Sequence, residues 1–145
     1  MEYDTRGLQV MVVESDRAVL EMVQIRLDVV GYSTTVARTG RQALEVLRNL
    51  RPSALVIDLN LPDLSGLEVL QFINPRAPFA VPALVTGRGL SAEQVQQAVK
   101  HGARDCLAKP FSGADVLSRV QRLLRRPSPG LVMPPPIIDR QSAYV

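Results

Sequence analysis

Four residues of this 145-residue sequence combine into one kind of chemistry: Glu14, Asp58, Thr86 and Lys109. Each stands at the end of a short strand-like run: "VMVVE", "ALVID", "ALVT" and "DCLAK". Capping or turn formation accounts for Ser15 and Asp16, which follow Glu14. It does not account for Lys109, because lysine neither caps nor turns, nor for Asp58, which is followed by the apolar Leu59. Two carboxylates brought together repel unless something positive lies between them. Glu14 and Asp58 could share a hard cation, which prefers oxygen ligands, and the Lys109 ammonium would relieve the repulsion further. An aspartate held in its charged form can attack phosphorus and form an aspartyl phosphate. The cation and Lys109 would neutralise the phosphoryl oxygens, and the Thr86 hydroxyl would donate a hydrogen bond to one of them.

That chemistry requires the four runs to end at the same place, and the rest of the pattern says how. "LQVMVV" (8–13) is continuously apolar, as a strand buried on both faces must be. From Asp16 to Val30 the period becomes helical, with Leu20, Val23, Leu27 and Val30 on one face. "STTVA" (33–37) is short and β-branched and predicts a second strand. "RTGRQALEVLRNL" predicts a helix with Ala43, Leu47 and Leu50 aligned, ended by Pro52. "ALVI" (54–57) is a third strand, followed by a loop with Pro62 and Gly66 and a short helix over 67–73. "ALV" (83–85) is a fourth strand. A capping box from Ser91 to Gln94 opens a helix that Gly102 ends. "DCLA" (105–108) is a fifth strand, and 112–126 is a closing helix with Val116, Val120 and Leu123 or Leu124 inward. Strands alternating with helices predict an α/β fold with a parallel sheet, helices on both faces and right-handed crossovers. The expected form is a flavodoxin-like (βα)5 doubly wound sheet of order 2-1-3-4-5, whose ligands bind outside the carboxyl ends of the strands.

Composition narrows the alternatives. At 46% hydrophobic residues the chain can bury one domain's core. One cysteine, Cys106, excludes a disulfide framework, and one histidine, His101, argues against a multi-histidine metal centre. The start "MEYDTRGLQ" is no secretory signal, and no apolar run approaches a membrane span of about 20 residues. A soluble cytoplasmic protein is the expectation. Arg119, Arg122, Arg125 and Arg126 form the densest basic cluster, which reads as an ordinary solvated helix face rather than a nucleic-acid stripe. After Arg126, "PSPGLVMPPPIIDRQSAYV" carries five prolines in nineteen residues and reads as a linker or tail. The expected organisation is an N-terminal extension over 1–7, a domain over 8–126 and the Pro-rich segment over 127–145.

With "VVESD", "LVIDLNLPDLSGLEVL", "ALVTG" and "DCLAKPF" in this order, the sequence from Leu8 to Arg126 resembles the receiver domain of two-component response regulators. The resemblance implies roles by position. Asp58 is the phosphoacceptor, Thr86 the switch hydroxyl and Lys109 the phosphate-pairing lysine. Magnesium is the implied metal, held by Glu14, Asp58 and the backbone carbonyl of Asn60, with Ser15 or Asp16 as further candidates. The Lys109–Pro110 bond is implied to be cis. The implied phosphodonor is a histidine kinase or a histidine phosphotransfer protein. A homodimer or an output-domain contact would use the face of the fourth helix, fifth strand and fifth helix. No nucleic-acid or membrane contact is indicated. The domain would be a signalling phosphoacceptor rather than an enzyme, promoting only its own phosphoryl transfer.

Two positions depart from the family pattern. Ser15 stands where a second acid is usual, which predicts weaker magnesium binding unless Glu14 or Asp16 compensates. The alternative for Ser15 is that it caps the first helix. Cys106 stands where an aromatic is usual, so the ring movement that follows threonine engagement has no ring, and another element, such as the helix over 91–102, must carry the signal. As a lone strand residue Cys106 is most simply a small buried hydrophobe. Arg88, two residues past Thr86, falls at the mouth of the site. These departures motivate a competing reading, a phosphorylation-independent pseudo-receiver that only binds a protein partner. A flavin binder on the same fold lacks support, having no tryptophan to stack on the ring and no phosphate-binding Ser/Thr-Gly turn.

Overall fold

The computed structural model describes residues 7–75 and 80–125. They form five strands and five helices in strict alternation: β1 Gln9–Val13, α1 Arg17–Val29, β2 Ser33–Ala37, α2 Gly40–Leu47, β3 Ala54–Asp58, α3 Gly66–Ile73, β4 Ala83–Gly87, α4 Ala92–Lys100, β5 Ala103–Ala108 and α5 Gly113–Leu124. All strand pairs are parallel, and the order is β2-β1-β3-β4-β5, as the alternating pattern required. Residues 1–6 of the expected extension over 1–7, Arg126 and the Pro-rich segment over 127–145 lie outside the described residues.

Strand alternation divides the core in two. Met11, Val13, Leu55, Ile57, Ala83 and Val85 pack with Ala43 and Leu47 of α2, Val69 and Leu70 of α3 and Ala98 of α4. Val10, Val12, Val56 and Leu84 face the other way, against Leu20, Val23 and Leu27 of α1 and Val116, Val120 and Leu123 of α5. β1 and β3 are adjacent although β2 lies between them in the chain. The direction of winding therefore reverses at their carboxyl ends, where an open α/β sheet has its crevice.

Four details differ from the sequence expectation. β3 and β4 run on through Asp58 and through Thr86 to Gly87, so both polar residues belong to the ladder, where they are register partners. α2 ends at Leu47: the amides of Arg48 and Asn49 bond to Leu44 and Val46 (both 3.2 Å) and close the last turn before Leu50, which lies half-buried beyond the helix. Asp16 rather than Ser15 is the N-cap of α1. Val30 is the C-cap of α1 and is half-buried rather than part of its buried face. Of the two candidates on α5, Leu123 is the buried one.

Two glycines are demanded by close approach. A Cβ on Gly66 would collide with the backbone carbonyl oxygen of Asp58 and lie 2.9 Å from Leu59 Cα, so only glycine lets α3 start against the end of β3. Gly102 ends α4 at φ +97°, and a side chain there would strike the amide nitrogen of Asn74. Asn74 is 1% exposed. Its amide donates to the carbonyls of Val81 (2.9 Å) and His101 (2.8 Å), and its oxygen accepts from Val81 N (2.7 Å). It thereby ties the end of α3 to the turns before β4 and β5.

Candidate functional site

The strand pattern itself assembles the site. On the face covered by α1 and α5, β1 presents Val10 and Val12, β3 presents Ala54 and Val56, and β4 presents Leu84. One step of the two-residue period further on come Glu14, Asp58 and Thr86, and Lys109 follows Leu107 in the same way. Four apolar rows thus end in four polar groups at one sheet edge. Backbone bonds fix the ends: Glu14 N donates to Ala37 O (3.0 Å), Leu59 N to Thr86 O (2.9 Å) and Lys109 N to Gly87 O (3.0 Å).

Lys109 Nζ lies 2.7 Å from Glu14 Oε1 and 2.8 Å from Asp58 Oδ2, so one ammonium bridges both carboxylates. The side chains are 9%, 4% and 2% exposed respectively, which removes the solvent screening that makes surface ion pairs weak. Burial alone would pull the Lys109 ammonium below the ordinary lysine range; its hydrogen bonds to Asp58 and Glu14 outweigh that and hold it above. The remaining oxygens are also engaged. Asp58 Oδ1 accepts from Asn60 N (2.8 Å), and Glu14 Oε2 accepts from Asp16 N (2.9 Å). Thr86 is buried beside Asp58. The Lys109–Pro110 peptide is cis.

The loops around this centre are tied to it. Asn60 Oδ1 accepts from Arg88 N (2.9 Å), which fastens the β4–α4 loop to the end of β3. Arg38 donates from Nη2 to the Ser15 carbonyl (3.0 Å). Asp63, which the sequence reading passed over, accepts from Gly40 N (2.8 Å) and Arg41 N (2.9 Å) and so anchors the start of α2 to the β3–α3 loop. A cleft of about 230 Å³ opens beside Lys109, lined by Ala18, Val19, Met22, Arg88, Pro110 and Phe111. Arg88 is thus at the mouth of the site, as its position two residues beyond Thr86 suggested.

The donor set suits a hard cation, which prefers oxygen ligands: the Glu14 and Asp58 carboxylates meet at this centre. Its charge is modest. Asp16 is committed to α1, its Oδ1 accepting from Ala18 N (2.9 Å) and Val19 N (3.2 Å). Among the described residues no three His, Cys, Asp or Glu side chains group as a metal site. A magnesium ion here would depend on Glu14 and Asp58 for charge, with carbonyl and water oxygens completing its shell.

The other singled-out residues separate. Cys106 is half-buried against the α2–α3–α4 core. Burial and the neighbouring Asp105 raise its thiol above the ordinary range despite Arg119, which leaves no activated thiolate. Arg119 is not simply solvated: its Nη1 pairs at 2.6 Å with Asp105, a buried carboxylate of β5. The sequence expectation of a plain solvated face is corrected there, since strand and helix register decide which acid meets which base. The pairing had no local signal, because the partners are fourteen residues apart on different elements.

A family model described as the response regulator receiver domain matches residues 10–121. The chain belongs to the response regulator receiver domain family. It is 38% identical over 122 residues to the response regulator MprA of Mycobacterium sp. (strain KMS), an alignment covering 84% of this chain and 53% of that protein. The chain therefore spans about half the length of the curated relatives it matches. Among solved structures it resembles the chemotaxis response regulator CheY4 of Vibrio cholerae, with 28% identity, a TM-score of 0.72 and coverage of 81% of this chain and 98% of that one. The BeF3-activated receiver domain of DrrB, a Thermotoga maritima protein, matches at 28% identity and a TM-score of 0.71, over 82% of this receiver domain and 98% of that one. Phosphorylation-based two-component signalling is the function of this family, and its members typically bind Mg2+ at the phosphorylation site. Among the described residues of this receiver domain, no helix is long and apolar enough to cross a membrane.

Proposed function

We propose that Asp58 accepts a phosphoryl group from the phosphohistidine of a histidine kinase or histidine phosphotransfer protein, and that the modified domain changes its preference among protein partners. The observation that carries this reading is the Lys109 ammonium bridging Asp58 and Glu14 at 2.8 and 2.7 Å in a buried site at the sheet's carboxyl edge. In the step itself an Asp58 oxygen attacks phosphorus, an O–P bond forms, the P–N bond of the donor breaks, and the histidine nitrogen leaves with the electron pair. Asn60 N and Lys109 hold the two Asp58 oxygens in place beforehand, so the chain contributes positioning and charge neutralisation. Glu14, Asp58 and the Asn60 carbonyl would hold a magnesium ion, which when bound supplies further positive charge to the phosphoryl oxygens. Thr86 stands on the adjacent strand, where its hydroxyl can bond a phosphoryl oxygen.

The signal then needs a route that does not depend on an aromatic at Cys106. The Asn60–Arg88 bond supplies one, because it joins the side chain of Asn60, two residues past Asp58, to the backbone of the loop leading into α4. Displacing Asn60 as the phosphoryl group arrives moves that loop and biases the face of α4, β5 and α5 toward one partner over another.

The test is incubation of the full chain with a small acyl phosphate and magnesium, followed by intact mass. Wild type gains one phosphoryl group and Asp58→Ala gains none. Unmodified mass in both folded proteins would overturn the proposal and leave the phosphorylation-independent binding module as the reading.

A further inference from the structure

Helix α1 is apolar on two faces, and the core accounts for only one of them. Leu20, Val23 and Leu27 are buried against the sheet. Ala18, Met22, Ile25 and Val29 make a second stripe, at the i, i+4, i+7 and i+11 spacing of one helix face. Ile25 is 62% exposed and Val29 is 78% exposed. Single exposed apolar residues are ordinary, but here they line up along the whole helix. Isoleucine and valine are also weak helix formers, so propensity gives no reason for them on an open face. The large apolar side chains exposed on other helices among the described residues are Phe72 of α3 and Val99 of α4, in the opposite layer.

The chain itself brings a covering to this stripe. α1 and α5 share one face of the sheet, with Gly113 of α5 against Arg26 of α1. Each follows a parallel strand and returns to the amino edge of the sheet, where Val30 and Leu124 border the same apolar cluster. The chain therefore leaves α5 at the edge where Val29 ends the stripe. Twenty residues follow Arg125, and eight of them, "LVMPPPII" (131–138), carry no polar side chain. We infer that this segment docks along the Ala18–Val29 stripe of α1 in the same chain. The lengths agree. Residues 126–130 reach up to about 17 Å. The stripe is about 17 Å long at the rise of an α-helix, and eight residues in the extended form favoured by consecutive prolines span about 25 Å. Three adjacent prolines also restrict the segment beforehand, which lowers the entropic cost of docking. In this arrangement Leu131, Val132 and Met133 meet the Val29 end. Ile137 and Ile138 meet the Ala18 end, at the rim of the cleft beside Lys109 that Ala18 and Met22 line. The inference is independent of whether Asp58 takes phosphate.

The test is paramagnetic broadening in the full chain. Cys106→Ala/Ser142→Cys carries a nitroxide on the only thiol, and the backbone amides are read by nitrogen-15 correlation spectra. Amides of α1 over 18–29 should lose intensity, while those around Phe72 and Val99 should keep it. Adding Ile25→Ser/Val29→Ser, at exposed positions that the core does not need, should restore the α1 signals. So should Leu131→Ser/Ile137→Ser/Ile138→Ser, which leaves the folded domain untouched. Broadening centred on the end of α5, or on α3 and α4, would overturn the docking. So would α1 broadening that survives the tail variant. A mixture of spin-labelled chain without nitrogen-15 and unlabelled chain with it should show no broadening; α1 broadening there would assign the stripe to a second copy and overturn the intrachain contact.

Discussion

Replacing Lys109 by methionine tests the electrostatic heart of the site while keeping the length of the apolar stem. The ammonium lies 2.7 and 2.8 Å from two carboxylates whose side chains are 4% and 2% exposed. Removing one member of a buried ion set costs about 3–5 kcal/mol, because the remaining charge is left uncompensated. The neighbouring cleft admits water at the rim, which places the expected loss near the lower end, about 3 kcal/mol. A domain of this size has about 5–15 kcal/mol of stability, so the variant still folds. The loss should vary with pH in a particular way. In wild type the Lys109 ammonium titrates above the ordinary value of 10.5, held there by Asp58 and Glu14 against the opposing effect of burial. A group whose folded pKa is raised stabilises fully below its unfolded value and loses that contribution as pH rises through the folded one. The wild-type advantage should therefore fade above pH 10.5. The difference between the proteins should thus hold around neutral pH and shrink as pH rises past 10.5. Urea denaturation followed by far-UV circular dichroism, with a chelator present, measures it. A loss of about 3 kcal/mol moves the midpoint by about 1 M or more. A difference below about 1 kcal/mol that is flat from pH 4 to pH 11 would show that the bridge behaves as a surface pair and would refute the reasoning.

Further outcomes follow from the same geometry. Gly66→Ala forces a Cβ into the Asp58 carbonyl and should cost about 1–3 kcal/mol in urea denaturation while slowing modification of Asp58; an unchanged midpoint would count against that packing. Ser15→Asp adds the acid that the site lacks and should tighten magnesium binding roughly tenfold by calorimetry, with equal affinity arguing that Glu14 and Asp58 already saturate the requirement. Asn74→Ala leaves the buried Val81 and His101 backbone groups without their side-chain partner. It should destabilise the fold by about 2–4 kcal/mol, the cost of several unmet buried groups. Desolvation is the largest single influence on Asp63 and raises its pKa, but backbone amides, those of Arg41 and Gly40 first, together outweigh it and hold the carboxyl below the ordinary range, so it stabilises above its unfolded value and loses this as pH falls through the lower folded one. Asp63→Asn should therefore erase part of the acid sensitivity below pH 3.8, read as a flatter stability curve there.

How far the sequence alone reaches depends on whether a feature is local. The sheet order and the meeting of Glu14, Asp58, Thr86 and Lys109 were legible because each run of buried residues also states its own end. In a parallel sheet those ends share one edge. Strand alternation even places all four on the α1–α5 face, since each sits two residues past an inward apolar neighbour. What escaped was set by contact between distant elements. Leu50 keeps the helical spacing, yet the chain turns before it. Asp63 reads as a turn residue, yet its carboxylate caps a helix more than twenty residues earlier. Arg119 has the same local surroundings as any solvated helix arginine. It is set apart by Asp105, and Asp105 is buried because β5 shifts register against β4 between Ala83 and Leu84. The same contrast separates the two departures from the family pattern: Ser15 is a neutral residue beside Glu14 and is read directly from the sequence, whereas a coupling that Cys106 would alter lies between elements, and the Asn60–Arg88 bond was visible only once β3 and β4 lay side by side.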